Sequence, residues 1–370
     1  MSQNLFNKTL IIGLGLIGGS FAKALKQAKL SKKIFAYDLD EESIELAKSD
    51  GIIECGVSDL IFFCDEFLSF DFVVLATPLS TYSEIFSEIT KKISASCVVI
   101  DLGSIKDLRI INLPKNFIPC HPIAGSEHAG FEHSCADLFF GKKFIICPKN
   151  SEKNSLEKLE EVIKKIGANP EFLEAKKHDE IYALVSHLPQ FLSFLTKEFS
   201  PKNIEDEFFK TAFRLDNSSP ELWEDIFAMN EKNLEKFYLE FFERLEGNVN
   251  SFADGPRNKC VVTLEQDGVC NPVLTFSSKT TDMNIWTGLQ TPSSDSDKFF
   301  KTNFASIFFR ALIAKSYLEI PKIKTFQNYA GTGFTDFTSI TQILNYDPKK
   351  LRELIKKNQN QILKIFNSIS

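Results

Sequence analysis

Gly13, Gly15 and Gly18 fall on the spacing G-x-G-x-x-G, and a carboxylate, Asp38, stands twenty residues after Gly18. The chemistry this pattern allows is dinucleotide binding. The first glycine permits a tight turn, the second lets backbone approach a pyrophosphate, and the third lets a helix pack on a strand. Leu16 and Ile17 lie inside the same turn, whose N–H groups and helix dipole favour an anion. Asp38 would accept a hydrogen bond from a ribose 2′-hydroxyl and repel a 2′-phosphate. No basic residue follows it directly, so NAD is expected rather than NADP. The plainer reading of Asp38 is a strand-end carboxylate with no ligand.

A second constellation can move protons. It comprises Asp101-Leu102-Gly103-Ser104-Ile105-Lys106, then His121-Pro122-Ile123-Ala124-Gly125-Ser126-Glu127-His128-Ala129-Gly130, then His178-Asp179 and Val185-Ser186-His187-Leu188-Pro189. An imidazole near its usual pKa of about 6.5 accepts a proton at neutral pH. A serine hydroxyl donates and accepts at once, so Ser104 can bridge base and substrate. His121, His128 and His133 match no common zinc spacing, and no metal is expected. Plainer roles stand beside these. His121 could bond backbone, Ser104 could cap a helix, and His187 could mark a kink before Pro189. His178 and His187 are nine apart, which on an unbroken helix puts them on opposite faces and argues against a shared site.

The elements that must position these residues alternate. Strands are predicted at 9–12, 33–38, 71–76, 96–101, 116–120 and 144–147, several of them continuous apolar runs suited to burial on both faces. Helical patterns between them, including 16–28, imply right-handed crossovers and one parallel sheet. Ligands of such sheets bind beyond the strands' C-terminal ends. Thr77-Pro78, Gly103-Ser104 and Cys120-His121-Pro122 all fall at that edge, and Thr77 and Pro78 join the coenzyme candidates. A helix over 151–166 and a strand near 169–173 follow. From Lys176 to about Leu245 the pattern is helical throughout, with Ser219-Pro220 as a helix start.

Beyond that, Cys260–Leu264 and Val269–Phe276 suggest a hairpin, and helical periodicity returns from Phe304. Apolar residues and Asn230 after Pro220 are echoed at the same offsets, with Asn358, after Pro348. Two amphipathic helices with a common start signal explain this as readily as a duplication. The fold class expected is an α/β, Rossmann-like nucleotide-binding domain with a parallel sheet, an all-α domain, and a mixed or mostly helical C-terminal segment.

The chain has 370 residues, enough for two or three domains, with 36 Phe and a net charge of −6 that argues against broad nucleic-acid binding. Its eight cysteines form no C-x-x-C pair, which suggests reduced thiols and a cytoplasmic protein. No segment carries the roughly 20 apolar residues that span a bilayer. Lys8 before an apolar run and Ala22-Lys23-Ala24 imitate a secretory signal, but the glycine fingerprint within that run favours a folded nucleotide turn.

The glycine turn, the His121–Glu127 block and the Ser186–Pro189 block, in this order, resemble prephenate dehydrogenase and the closely related arogenate dehydrogenase over residues 8–246. The resemblance implies a nucleotide domain (1–173) and a helical domain that forms a homodimer (174–250); residues 251–370 are a C-terminal extension with no counterpart in the family's minimal form. It implies a small-molecule substrate in the cleft between the first two, and no nucleic-acid or membrane partner. The implied reaction is oxidative decarboxylation: hydride leaves the ring carbon bearing the hydroxyl, carbon dioxide departs, and the ring becomes aromatic. The position matching His121 deprotonates the substrate hydroxyl, and that matching Ser104 supports it. His187 and Ser126 match the substrate pocket. Arg214, six residues before Pro220, matches an arginine that binds a substrate carboxylate, as a guanidinium does with two parallel bonds; otherwise it is a surface ion-pair partner. The usual glycine-rich stretch before that arginine is missing here. Gly331-Thr332-Gly333-Phe334-Thr335-Asp336-Phe337-Thr338-Ser339 resembles it better but has Ser339 at the arginine position. Either the C-terminal segment repeats part of the helical domain or it lends a glycine turn to it. The alternatives are arogenate dehydrogenase and a non-catalytic NAD(H)-binding regulator.

Overall fold

The structure, a computed structural model, describes residues 4–253 apart from 64–66, 109, 111–112, 127, 150 and 206, together with 304–341, 358 and 361. The hairpin expected over 260–276, Cys260 and Cys270, and the echo that starts at Pro348 lie outside the described residues. The chain forms two compact units, Met1–Tyr182 with Ser219–Glu231, and Ala183–Ser218 with Lys232–Ser370.

The first unit is built on strands β1 (Phe6–Ile12), β2 (Ser31–Tyr37), β3 (Cys55–Val57), β4 (Phe72–Leu75), β5 (Val98–Asp101) and β6 (Phe117–Ile118). All pair in parallel, in the order β3-β2-β1-β4-β5-β6. Side chains alternate between two cores. Phe72, Val74, Val98 and Ile100 face one, and Val73, Leu75 and Val99 the other. Burial on both faces explains the unbroken apolar runs. Helices α1 (Leu16–Gln27), α2 (Glu41–Ser49), α3 (Tyr82–Ile89) and α4 (Lys153–Lys165) belong to this unit. Strand order reverses between β1 and β4, so the chain leaves these neighbouring strands in opposite directions and opens a crevice at their C-terminal ends.

Two expectations are corrected. The sheet does not take in the later strands: β7 (Cys120–Pro122), β8 (Lys143–Ile146) and β9 (Asn169–Phe172) make a second sheet, β7-β8 antiparallel and β8-β9 parallel. Pro119 separates β6 from β7, and it has no N–H to carry the first ladder on. Nor does a helix join β5 to β6; among the described residues that link is irregular.

The helical stretch α5 (Ala175–Tyr182) runs on through a π turn (Ala183–His187) into α6 (Leu188–Thr196), and the chain passes from one unit to the other at Tyr182–Ala183. Pro189, in the first turn of α6, cannot donate to the preceding turn, which widens instead. The unbroken helix assumed for His178 and His187 is therefore absent. The second unit adds α7 (Glu207–Ala212), a 3₁₀ turn (Arg214–Asn217), nearly all of α9 (Glu231–Ala253), α10 (Phe304–Leu318), α11 (Ile323–Phe326) and α12 (Thr332–Ser339). Between them α8 (Pro220–Met229) returns to the first unit, N-capped by Ser219, whose hydroxyl accepts from Leu222 N. Leu192, Phe213, Phe241, Leu312, Tyr317 and Phe337 are buried in the helical unit.

Candidate active site

The glycine turn sits at the crevice. Gly13 has φ +100°, and a Cβ there would stand 2.6 Å from the Ala76 carbonyl. A Cβ on Gly18 would stand 1.9 Å from the Gly13 carbonyl. Both glycines are thus required by the protein's own packing. Gly15 is different: a Cβ on it would meet nothing within 4 Å. It is the N-cap of α1 and offers no side-chain cap. Leu16 and Ile17 follow as the first residues of α1, and the N-terminus of a helix favours an anion. Asp38, at the end of β2, accepts from Leu14 N through Oδ2 and from Asp40 N (2.9 Å) through Oδ1. Each oxygen keeps a lone pair for a hydroxyl donor. Leu39, Asp40, Glu41 and Glu42 follow, with no cation for a 2′-phosphate. Asp40 caps α2 through Glu42 N and Ser43 N. Thr77 flanks Gly13 and its hydroxyl pairs with that of Thr81 at 2.9 Å, while exposed Pro78 precedes the short turn leading into α3.

From this turn a chain of contacts leads to His121. Leu75 and Asp101 are register partners at the ends of β4 and β5. Asp101 is fully buried. It accepts from Cys120 N (3.0 Å), Gly103 N (3.1 Å) and the Tyr82 hydroxyl (3.2 Å), and it holds the Lys106 ammonium, which also donates to the Cys120 carbonyl. Burial pushes the Asp101 carboxyl up, against the pull of Lys106 and the two backbone N–H groups. The next residue, His121, is half-buried on β7 opposite Ile145.

His121 Nδ1 lies 2.9 Å from His178 Nε2, and His178 Nδ1 lies 2.8 Å from Asp179 Oδ1. Asp179 also accepts from Lys106 N and Asp107 N, each at 2.8 Å. Tyr182 packs against both imidazoles, with ring centroids 5.0 Å from His121 and 4.4 Å from His178. Ser104 is half-buried, no helix starts at it, and the ring that His121 meets is His178. His178, which sequence reasoning left unassigned, thus meets the Nδ1 side of His121. Its signal was present: a histidine and a carboxylate side by side, with Tyr182 one turn on. Ser126 is exposed and accepts from His128 N at 3.2 Å. His128 stacks on His133 with ring centroids 4.8 Å apart. Among the described residues no cluster suits a metal ion.

In the helical unit His187 is buried at the end of the π turn. Arg214 Nε donates to Asp336 Oδ2 at 2.8 Å, and its NH2 lies 2.6 Å from the same oxygen. The two stretches that compete for the arginine role therefore meet: Asp336 comes from the glycine-bearing stretch, and a Cβ on Gly333 would lie 3.3 Å from Leu215. Nearby, Arg310 is buried against Asp216 at 2.8 and 3.0 Å and donates to the hydroxyls of Ser193 (3.0 Å) and Ser200 (3.1 Å). Burial lowers the Arg310 pKa, and Asp216 opposes that shift.

A parallel nucleotide sheet with this glycine turn, followed by a helical domain, places the chain in the class of dinucleotide-binding proteins. Comparison with known proteins narrows the class. Residues 21–171 match the family model for the prephenate dehydrogenase nucleotide-binding domain, and residues 174–254 that for its dimerization domain. Prephenate dehydrogenase of Bacillus subtilis (strain 168) is 28% identical over 254 residues, which are 62% of this chain and 66% of that one. Cyclohexadienyl dehydrogenase of Zymomonas mobilis is 27% identical over 245 residues, 62% and 82% of the two chains. The crystal structure of prephenate dehydrogenase from A. aeolicus in complex with hydroxyphenyl propionate and NAD+ is 32% identical, with a TM-score of 0.60, over 68% of this chain and 91% of that one. The chain belongs to the prephenate dehydrogenase family.

Proposed function

We propose that the protein catalyses NAD-dependent oxidative decarboxylation of prephenate to 4-hydroxyphenylpyruvate, a step of tyrosine biosynthesis. The observation that carries this reading is His121, hydrogen-bonded to a buried histidine–aspartate pair in the same unit as the glycine turn. Gly13, Gly15 and Gly18, with Leu16, Ile17, Thr77 and Pro78, would cradle the coenzyme, and Asp38 would hold its ribose. Bound NAD supplies the hydride acceptor. His121 takes the proton from the substrate hydroxyl and returns it to the ring oxygen as carbon dioxide leaves and the ring becomes aromatic. Hydride and carbon dioxide are then the only groups the substrate loses. Ser104 donates to the same oxygen. Arg214 binds a substrate carboxylate, and His187 and Ser126 contribute to the pocket. The match to a dimerization domain supports a homodimer. The free cysteines among the described residues support a reducing, cytoplasmic setting.

The test is turnover of purified protein with NAD on prephenate and, separately, on arogenate. Prephenate turnover is the expected result. Turnover of arogenate alone moves the substrate to that amino acid. NADH binding with no turnover of either makes the protein a non-catalytic NAD(H)-binding regulator.

A further inference from the structure

His178 and Asp179 do more than fill space behind the base. We infer that they fix the tautomer of His121, so that its Nε2 carries the lone pair; this rests on the reading of His121 as the base. The wiring follows from donor and acceptor counting. Asp179 accepts two backbone N–H groups, from Lys106 and Asp107. An ionised carboxylate only accepts, so His178 Nδ1, 2.8 Å away, must carry a hydrogen. Neutral His178 then presents Nε2 as an acceptor. His121 Nδ1, 2.9 Å from it, must donate. A neutral His121 that donates through Nδ1 holds its basic lone pair on Nε2.

This arrangement suits a base that is protonated and deprotonated in each cycle. When Nε2 takes a proton, the Nδ1–H···Nε2 bond to His178 stays as it was, and the buried Asp179 charge favours the imidazolium. No dipole has to turn during the step. The opposite tautomer would set two lone pairs against each other at 2.9 Å. Asp179 is itself held. Its carbonyl accepts from Asn230 Nδ2 at 2.8 Å, and its carboxylate caps the Lys106–Asp107 backbone. The titratable and charged groups tied to the two rings include Asp179 and Tyr182 on α5, with Lys106 and Asp107 bound to Asp179 through their amides and Asp101 bound to the Lys106 ammonium. The Lys106 ammonium is neutralised by Asp101, and Asp179 is the carboxylate bonded to His178. His178 and Asp179 are positioning residues; neither needs to touch substrate.

The chain has five histidines, so the ring nitrogens can be assigned from single variants of the full-length protein labelled with 15N-histidine and saturated with NADH. Two-bond 1H–15N correlation spectra are expected to show His121 and His178 both protonated at Nδ1. His178→Phe keeps a ring against Tyr182 and removes the acceptor. It is expected to release the Nδ1–H preference of His121 and to lower kcat by roughly 10²-fold, with KM within about twofold. His178→Gln, whose amide oxygen can take the place of Nε2, is expected to recover part of that loss. A wild-type spectrum with the proton on His121 Nε2 would overturn the relay, as would a His178→Phe variant with unchanged His121 tautomer and unchanged kcat. The base is tested separately. If His121→Asn is inactive while the spectrum shows the wrong tautomer, only the relay fails; if His121→Asn turns over normally, the base itself is lost.

Discussion

The three glycines of the turn are not equivalent, and the difference can be measured. At Gly18 an alanine methyl would sit 1.9 Å from the Gly13 carbonyl and 2.9 Å from the Ala76 Cβ. Both obstacles belong to backbone or to a side chain that cannot rotate away, so α1 must lift off the sheet. Overpacking of this kind costs about 1–3 kcal/mol or more, a large share of the roughly 5–15 kcal/mol that holds a domain. At Gly15 a methyl meets no protein atom within 4 Å, and φ is −66°, which alanine adopts without strain. The fold should therefore lose less than about 1 kcal/mol, the scale of a weaker N-cap. On the proposed coenzyme placement the methyl would meet the pyrophosphate, so NADH affinity should fall at least about tenfold, or 1.4 kcal/mol. Urea denaturation at constant m and titration of NADH fluorescence separate the two effects. Gly15→Ala binding NADH as tightly as wild type would remove the coenzyme from this turn. Gly18→Ala as stable as wild type would show that the packing argument is mistaken.

His121→Asn should keep the urea midpoint and NADH affinity while kcat falls about 10²–10⁴-fold, the worth of a general base; full activity in steady-state assays would exclude the role. Arg214→Ala should raise KM for a dicarboxylate by roughly 1.5–3 kcal/mol, the range for hydrogen bonds to a charged group, and an unchanged KM would assign the carboxylate elsewhere. Arg310→Met leaves Asp216 buried without its cation and should lower stability by about 3–5 kcal/mol, whereas Arg310→Met with Asp216→Leu should restore most of it; urea midpoints of the two variants decide. Burial pushes the Cys97 and Cys147 thiols up to about 12. Unfolded thiols ionise near ~8.5, so each contributes stability in full below that pH and loses it progressively as pH rises toward 12. Alkylation at pH 8 should mark exposed Cys55 and Cys135 and spare these two, as peptide mapping would reveal.

The parts of the fold that repeat a simple rule were legible. β1, β4 and β5 read as strands because both faces are apolar, and α1 read as a helix because the glycine turn demands one behind it. The unreadable parts are those where side-chain bonding replaces backbone periodicity. The described residues of the link after β5 form no helix: Lys106 and Asp107 give their N–H groups to Asp179, seventy-odd residues away, and no local pattern announces that partner. The switch from parallel to antiparallel pairing at β7 turns on Pro119, a single residue between two short apolar runs. His121 was legible as chemistry, but its partner was not. The nine-residue spacing of His178 and His187 invited an argument from helix geometry that the π turn at Ala183–His187 voids. Arg214 stands out by its distance from Pro220, while the carboxylate it pairs with, Asp336, belongs to a stretch more than a hundred residues on.

Two buried carboxylates tie the candidate site together where the chain is irregular. Asp101 ends β5 and binds the amide of Cys120, the residue before His121. Asp179, on α5, binds the amides of Lys106 and Asp107 and, through His178, the imidazole of His121. Lys106 joins the two systems, its amide on Asp179 and its ammonium on Asp101. His121 is thus held through its own backbone neighbour by one carboxylate and through its ring by the other. A buried ion pair contributes little net stability compared with apolar packing, because desolvation offsets the attraction. What it supplies is direction: each acceptor is satisfied in one arrangement, and that arrangement aims one imidazole. Apolar residues at 101, 106 and 179 could hold the sheet together as well, but they could not specify which ring nitrogen of His121 keeps its lone pair.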